Sequence, residues 1–449
     1  MAEFNRADNI VLLFDYYGDE SQMLHTSFLE AGYNLPAVVI NDDGFLPDDL
    51  ISVYGYFLGD YKNSEKSLGK PRYFNGIDIP KFWEISGTNT NGEICDKGKK
   101  KAGIFYNYPY EKRLVKAVDW DGDKGKVRLS EHYNKYGALW ATTAFNKEGQ
   151  RVLKTYLSPE GREIIYENFV TGDIILNEDK KVTIFKNKTE FVIYFLKKAG
   201  LVSKRLIYNS LSTPFFVSQM LEPNGFKDIL FWQERADRKI PGNMQIIFDN
   251  NATRCKKVFV QNQSEYDNLL NIGAPSDMVS KLGNIYKFLR SNGHRKNVLI
   301  CTNSDSIEHL KELITGMPYL TFHIAAITEM SSKLMETERY GNVKLYPGVK
   351  PKVLDELFKN CDFYFDINYG SEIADAVRRA FLNNMFITAF SNTAHNTDYL
   401  APEHIFKAHD ADDLKELVKR AADESAFLDE CVDRQKKAAL SEVPASYVF

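Results

Sequence analysis

Asn297-Val-Leu-Ile-Cys-Thr302 runs directly into Asn303-Ser-Asp-Ser-Ile307 and then into a helical pattern. A short, unbroken apolar run closed by polar residues fits a strand buried on both faces of a parallel sheet. Ligands of such sheets collect at the carboxyl ends of the strands, where a diphosphate needs free N–H groups with cations or glycine. Here the turn holds Asp305, and no Arg or Lys occurs before Lys311. The stretch therefore reads as a nucleotide-binding type of α/β unit without a grip on phosphate.

Downstream the alternation continues: strands over 319–325, 342–346, 362–367 and 385–390, with helices over 306–316, 331–338, 351–359 and 371–383. Helices over 411–423 and 425–440 close the pattern. This pitch gives a right-handed parallel sheet, a carboxyl-terminal Rossmann lobe over 291–440. The polar stretch from Asn284 to Lys296 reads as the linker before it.

Upstream, Ile10-Val-Leu-Leu-Phe14, a helix from Ser21 to Ala31 stopped by Gly32, and Leu35-Pro-Ala-Val-Val-Ile40 open a second doubly wound sheet. The rhythm then breaks. Polar turns at Asp121-Gly-Asp123, Asn134-Lys-Tyr-Gly137, Asn146-Lys-Glu-Gly149, Ser158-Pro-Glu-Gly161 and Asn177-Glu-Asp179 separate short strands, the spacing of an antiparallel meander. Strands at 205–208, 228–232 and 257–260 and helices at 190–200, 214–221, 242–249 and 264–271 restore the α/β pattern. The expected fold is α/β, a GT-B-like double Rossmann architecture with an antiparallel β-domain inserted in the first lobe. That lobe spans 9–45 and 187–290, and the insertion spans 46–186. A long meander leaves faces and edges to be covered, by a helix layer or by another protein.

The 449 residues are too many for one core, and 44% hydrophobic with 26% charged is ordinary for a globular protein. A net charge of -4 argues against non-specific nucleic-acid binding. Five scattered cysteines without a C-x-x-C pair fit a reducing compartment and no structural zinc. No apolar run approaches bilayer length and no signal pattern follows Met1, so a cytoplasmic location with at most peripheral membrane contact is expected. Ala2–Asp8 reads as a leader before the first strand.

Candidate ligand contacts sit where strands hand over to helices. In the second lobe these are Glu329 and Ser331, and the turn Asn368-Tyr369-Gly370. In the first lobe they are Trp232-Gln233-Glu234, with Asn209 and Ser210 after the preceding strand. Each has a plainer reading: a helix cap for Glu234, a packed strand–helix joint for 368–370, a core histidine for His323. Phe363–Phe381 is similar to the strand–turn–helix in which sugar-nucleotide transferases place two glutamates around a glycine-rich turn. Counted from Gly370, those positions hold Ile367 and Asp375. One acid is gone and the other is shortened, while Glu372 suits a helix N-terminus. No catalytic residue, metal or cofactor is expected. No H-E-x-x-H, Walker A or G-x-S-x-G motif is present.

Several stretches together resemble the GtfB family, stabilising subunits of the accessory-secretion O-GlcNAc transferases of Gram-positive bacteria. They include Leu13-Phe-Asp-Tyr-Tyr17, Gly44-Phe-Leu-Pro-Asp-Asp49, Phe82-Trp-Glu-Ile85 and Leu114-Val-Lys-Ala-Val-Asp-Trp120. Arg128-Leu-Ser-Glu-His-Tyr-Asn-Lys135, Asp228-Ile-Leu-Phe-Trp-Gln-Glu234 and Ala325-Ala-Ile-Thr-Glu-Met330 extend the likeness. The resemblance implies a non-catalytic chain. It would bind a GtfA-like catalytic O-GlcNAc transferase subunit through the inserted β-domain. The partner transfers N-acetylglucosamine from UDP-GlcNAc to serine-rich repeat adhesins, and this subunit stabilises it and holds the acceptor. The rival readings are an active glycosyltransferase with an unusual donor pocket, and a free carbohydrate-binding module.

Overall fold

The computed structural model describes residues 9–122 and 125–449. The leader over Ala2–Asp8 and Asp123 of the first meander turn lie outside them. The chain forms two compact units: one runs to Phe259 and takes in Leu269–Ser280, the other holds Val260–Asn268 and Lys281–Phe449.

The first unit carries a seven-stranded sheet in the order Val279–Lys281, Cys255–Val260, Asp228–Trp232, Arg205–Tyr208, Ile10–Phe14, Ala37–Val39, Ile51–Ser52. Ile10–Phe14 is wholly buried and pairs in parallel with Arg205–Tyr208 on one side and Ala37–Val39 on the other. The strand Ile51–Ser52 belongs to this sheet, Ile51 facing Val38 and Ser52 facing Val39. It falls within the stretch read from sequence as insertion. A two-residue strand has too little length to show a period.

The inserted sheet has ten strands in plain sequence order, from Glu84–Gly87 to Lys181–Phe185. The turn pattern disclosed the strands from Val127 onward; four earlier ones, Glu84–Gly87, Asn91–Asp96, Lys99–Tyr106 and Val115–Asp121, it did not. Register shifts at Ile94/Cys95, Phe105/Tyr106 and Trp120/Asp121 interrupt the two-residue alternation that would have marked them.

The chain itself covers one face of this sheet at its first strands and the opposite face at its last ones. Ile94, Ala102, Ile104, Tyr106, Val115 and Val118 pack under Phe74, Ile77, Ile79 and Trp83. Further along, Phe185 meets Phe191 of the helix Lys188–Lys198 at 5.4 Å, and Tyr54 stacks on Tyr156 at 4.4 Å. Phe105, exposed between buried Ile104 and Tyr106, points away from this layer, and Val182 and Ile184 are 62% and 67% exposed. The sheet thus has both features foreseen as alternatives: a cover of its own chain and a bare apolar surface.

The second unit has a six-stranded parallel sheet, ordered Val343–Tyr346, Thr321–Ala326, Asn297–Thr302, Phe363–Asp366, Phe386–Phe390, Ile405–Phe406. Hydrophobic cores fill both of its faces, which is why its strands read as unbroken apolar runs. Two helices start later than the periodicity suggests, at Leu310 and Ala376. Ile307 pairs with Asn368 instead, and His309 and Asp375 take left-handed φ values of 50° and 52°.

The polar stretch read as a linker is fastened down. Arg290 and Arg295 reach the buried carboxylate of Asp362 at 2.6 and 2.8 Å, and Gly293 N–H donates to it at 3.1 Å. Beyond residue 440, Glu442 N–H bonds Asn284 C=O at 2.9 Å and fully buried Tyr447 donates to Gly283 C=O at 2.6 Å.

Candidate functional site

In the second unit the order of strands reverses around Asn297–Thr302, whose neighbours are Thr321–Ala326 and Phe363–Asp366. The loops that follow Thr302 and Asp366 diverge there, the place where open α/β sheets take ligands. Here the two loops are sewn to each other. Tyr369 N–H donates to Ser306 C=O at 3.0 Å and Glu308 N–H to Ile367 C=O at 2.8 Å. Thr302 Oγ1 lies 2.6 Å from Asn368 Oδ1, and Asn303 Nδ2 reaches Ser371 C=O at 3.5 Å. A Cβ at Gly370 would stand 1.9 Å from Asn303 Oδ1, so a larger residue there requires the Asn303 amide to move aside.

A third loop, after Phe390, completes the stitching. Tyr369 OH bonds Glu308, and Asn392 Nδ2 donates to Glu308 and to Tyr369 OH, both at 2.8 Å. His395 Nδ1 lies 2.6 Å from Asp366 Oδ1 and its Nε2 lies 2.6 Å from Gly370 C=O. Both partners are acceptors, so both ring nitrogens carry hydrogen and the imidazole is a cation. The Asp366 bond raises its pKa to about 9, against the opposing effect of burial. The helix that follows the first strand is only seven residues long, with Glu312 in its first turn. Between Thr302 and Lys311 the chain has no Arg or Lys to meet a diphosphate.

The first unit has a switch point of its own, around Ile10–Phe14. Asp15 is 7% exposed, and burial raises its pKa although Ser212, Lys188, Asn41 and Ser210 oppose the rise. Asn41 Nδ2 donates to Asp15 Oδ1 at 2.6 Å, Lys188 donates to Asn41 Oδ1 at 2.9 Å and pairs with Glu167 of the inserted sheet at 2.9 Å. Exposed Glu234 is raised by partial burial and by the charge of Asp15, and bonds Ser210. Two carboxyls beside serine hydroxyls form a surface that accepts hydrogen bonds. The helix behind it opens with Asp19 and Glu20, which repel phosphate.

Four family models match the chain: the GtfB N-terminal domain over 11–57, the GtfB middle domain over 83–186, the GtfB third domain over 188–272 and the GftB/GlyA-F C-terminal domain over 298–435. A UDP-N-acetylglucosamine–peptide N-acetylglucosaminyltransferase stabilizing protein GtfB from Streptococcus gordonii is 43% identical, the match covering 92% of this chain and 91% of that one. The chain belongs to the GtfB family. The Streptococcus agalactiae relative of the same description is 41% identical over 98% of both chains. A chain of the solved GtfA/B complex bound to UDP and GlcNAc is 40% identical, with a TM-score of 0.89 over 97% of each chain. The solved TarM structure, 14% identical with a TM-score of 0.51 over 98% of this chain and 96% of that one, shares the fold alone.

In this GtfB-family chain the residues singled out from sequence meet different fates. Trp232 is 2% exposed and belongs to the core at its strand's end, so it contacts no ligand. Gln233 is a brace: it accepts from Asn209 at 2.8 Å and donates to Glu20 C=O at 2.8 Å. Of that trio only Glu234 reaches a surface with hydrogen-bonding capacity. Asn368 is buried with its Oδ1 accepting from Thr302, and Gly370 has its carbonyl taken by His395. Tyr369 is 53% exposed while its hydroxyl is held by Glu308 and Asn392. Ser331 caps the helix Ser332–Met335 through Leu334 N–H and donates to Asp305 at 3.0 Å. Glu329, exposed, lines a cavity of 220 Å³ with Asn303, Ser304 and Thr328.

His395 carries no local sequence signal, because its partner Asp366 lies 29 positions away in the chain. Glu372 is a helix cap, accepting from Val377 N–H at 2.9 Å. His323 is the core histidine expected: 8% exposed, on Tyr346 OH at 2.8 Å, and held near pKa 4 by burial. Among the described residues no group of three or more His, Cys, Asp or Glu is placed to hold a metal, and no helix is long and apolar enough to cross a membrane.

Proposed function

We propose that this chain is the non-catalytic stabilising subunit of a UDP-GlcNAc:peptide O-GlcNAc transferase complex. The observation that carries the reading is the hydrogen-bond network that ties together the loops after Thr302, Asp366 and Phe390 in the second unit. The turn there is occupied by the chain's own Asn303, Asn368, Tyr369 and His395, and the phosphate-binding cations of a donor site are absent from that turn. The catalytic partner is a GtfA-like subunit, and the uncovered part of the inserted sheet is its docking surface. There Leu129, Val182 and Ile184, which the strand register places on one face, are open to solvent, a spread of apolar side chains of the kind that marks association sites.

The acceptor is a serine-rich repeat adhesin, modified in the cytoplasm before export, with contact to the membrane only peripheral. Asp15, Glu234 and Ser210 of the first unit are candidate groups to receive it, and Glu329 of the second unit is a candidate by itself. A serine-rich chain is disordered and binds weakly per residue. Holding it on a second subunit raises its effective concentration at the catalytic centre without new catalytic groups.

The test is to incubate the isolated chain with UDP-GlcNAc and a Ser/Thr-rich peptide, then to repeat the reaction with the partner subunit added. The reading expects product only in the second reaction. Transfer by this chain alone would favour the rival, an active glycosyltransferase.

A further inference from the structure

The bonds around Asp15 form one line that begins in the inserted sheet. Glu167, 8% exposed in the strand Glu163–Asn168, pairs with Lys188 at 2.9 Å. Lys188 opens the helix Lys188–Lys198 and donates to Asn41 Oδ1 at 2.9 Å. Asn41 Nδ2 in turn donates to Asp15 Oδ1 at 2.6 Å and to Asp15 C=O at 3.1 Å. All four residues belong to the first unit.

The chemistry of the line gives it a direction. An ammonium has only donors, so the Asn41 atom that faces Lys188 is the amide oxygen, and the amide nitrogen is turned to Asp15. Asp15 is thereby offered an N–H, which suits a carboxylate. With the amide reversed, two oxygens would face each other, and the carboxyl would need a proton to bridge them. Burial already pushes Asp15 toward that proton, and Lys188 and Asn41 are among the groups that oppose the push.

Lys188 has an anchor of its own. Glu167 also accepts from Tyr156 OH at 3.3 Å and stands opposite Lys154 in the strand register. The charged neighbours that act on Asp15, or feel its charge, are Lys188 and Glu234, while Lys154 acts with Glu167.

We propose that Lys188 is a positioning residue of the first switch point: by fixing the Asn41 amide it keeps Asp15 a hydrogen-bond acceptor for the hydroxyl and amide groups of a bound chain, and Glu167 holds it in place. The inference rests on the reading of this surface as the place that receives the acceptor.

Infrared titration of the full chain tests it. The carbonyl stretch of protonated Asp15 is identified by its loss in Asp15→Asn, and its appearance is followed as pH falls. In Lys188→Met the midpoint should lie at least about one pH unit higher than in wild type, the effect of losing a nearby cation and the bond it directs. Lys188→Arg, which keeps a donor-only cation, should return the midpoint toward the wild-type value. Glu167→Gln, which loosens Lys188, should raise it by less than Lys188→Met does. Asn41→Leu separates the relay from plain attraction: in that background Lys188→Met should move the midpoint by less than half as much. An unchanged midpoint in Lys188→Met, or an equal shift with and without Asn41, would overturn the proposal. Affinity for a Ser/Thr-rich peptide tells the two readings apart. Lys188→Met and Asp15→Asn should each bind it about three- to tenfold more weakly than wild type at neutral pH. Equal affinity of wild type and Asp15→Asn would count against the acceptor reading, while the midpoints still decide the role of Lys188.

Discussion

His395 and Asp366 stand 2.6 Å apart, ring nitrogen to carboxylate oxygen, and the opposite nitrogen of the same ring lies 2.6 Å from the Gly370 carbonyl. One imidazolium thus ties the end of a core strand to the turn that a sugar nucleotide would need open. Its pKa, raised to about 9, lies above the ordinary value of 6.5. The stabilisation is therefore fully present below about pH 6.5 and is lost as pH rises through about 9. His395→Gln should cost up to about 3 kcal/mol at neutral pH, and the deficit should shrink toward zero above pH 9 or so. Denaturant titrations of both proteins across that range check it; a deficit independent of pH would contradict the charge assignment.

Gly370 leaves room for the Asn303 side chain, which is itself held toward Ser371. An alanine there would put its Cβ 1.9 Å from Asn303 Oδ1, so Gly370→Ala should lower stability by about 1–3 kcal/mol. Adding Asn303→Gly should restore a large part of the loss. Thermal unfolding of the two variants reads both effects, and additive losses would show that the loops do not touch as described.

Asp362 is fully buried between Arg290 and Arg295. Burial pushes its pKa up, but the Arg295 bonds, the Gly293 N–H and Arg290 outweigh it and the carboxyl ends below its usual range. The stabilisation is present above the ordinary Asp value and is lost as pH falls through the lowered one. Asp362→Asn leaves two guanidinium groups facing a neutral amide and should cost about 3–5 kcal/mol at neutral pH. An equilibrium unfolding curve within 1 kcal/mol or so of wild type would mean the segment is a linker after all.

Removing the whole insertion is a poor test of the interface, because Tyr156, Phe185 and Glu167 pack or pair with Tyr54, Phe191 and Lys188 of the parallel lobe. Val182→Asp with Ile184→Asp is cleaner, since both side chains face solvent. The pair should weaken association with the catalytic subunit by at least about tenfold, the loss of one or two apolar anchors, and leave the melting temperature unchanged. Unaltered co-purification would place the interface elsewhere.

Much of the fold was legible in sequence wherever burial is two-sided. Asn297–Thr302 and Phe386–Phe390 read as strands because every residue in them is apolar or core-compatible. The early meander was not legible: its bulges break the alternation, and Lys99-Lys-Lys101 masks a strand. The site was legible only in part. The loss of phosphate-binding residues at 303–307 was visible, but the tying together of the loops rests on bonds such as Asp366–His395 and Tyr369–Glu308. These join residues tens of positions apart, and no local pattern reveals such pairs. Trp232 misled for a related reason: the end of a strand says where a side chain lies, not whether it points into the core.

The central claim is that the crevice after Thr302 no longer admits a nucleotide sugar. Isothermal titration of UDP-GlcNAc into the isolated chain measures this directly. The account predicts no saturable heat. Saturable binding to the isolated wild-type chain, abolished by a substitution in the 302–308 turn, would contradict it.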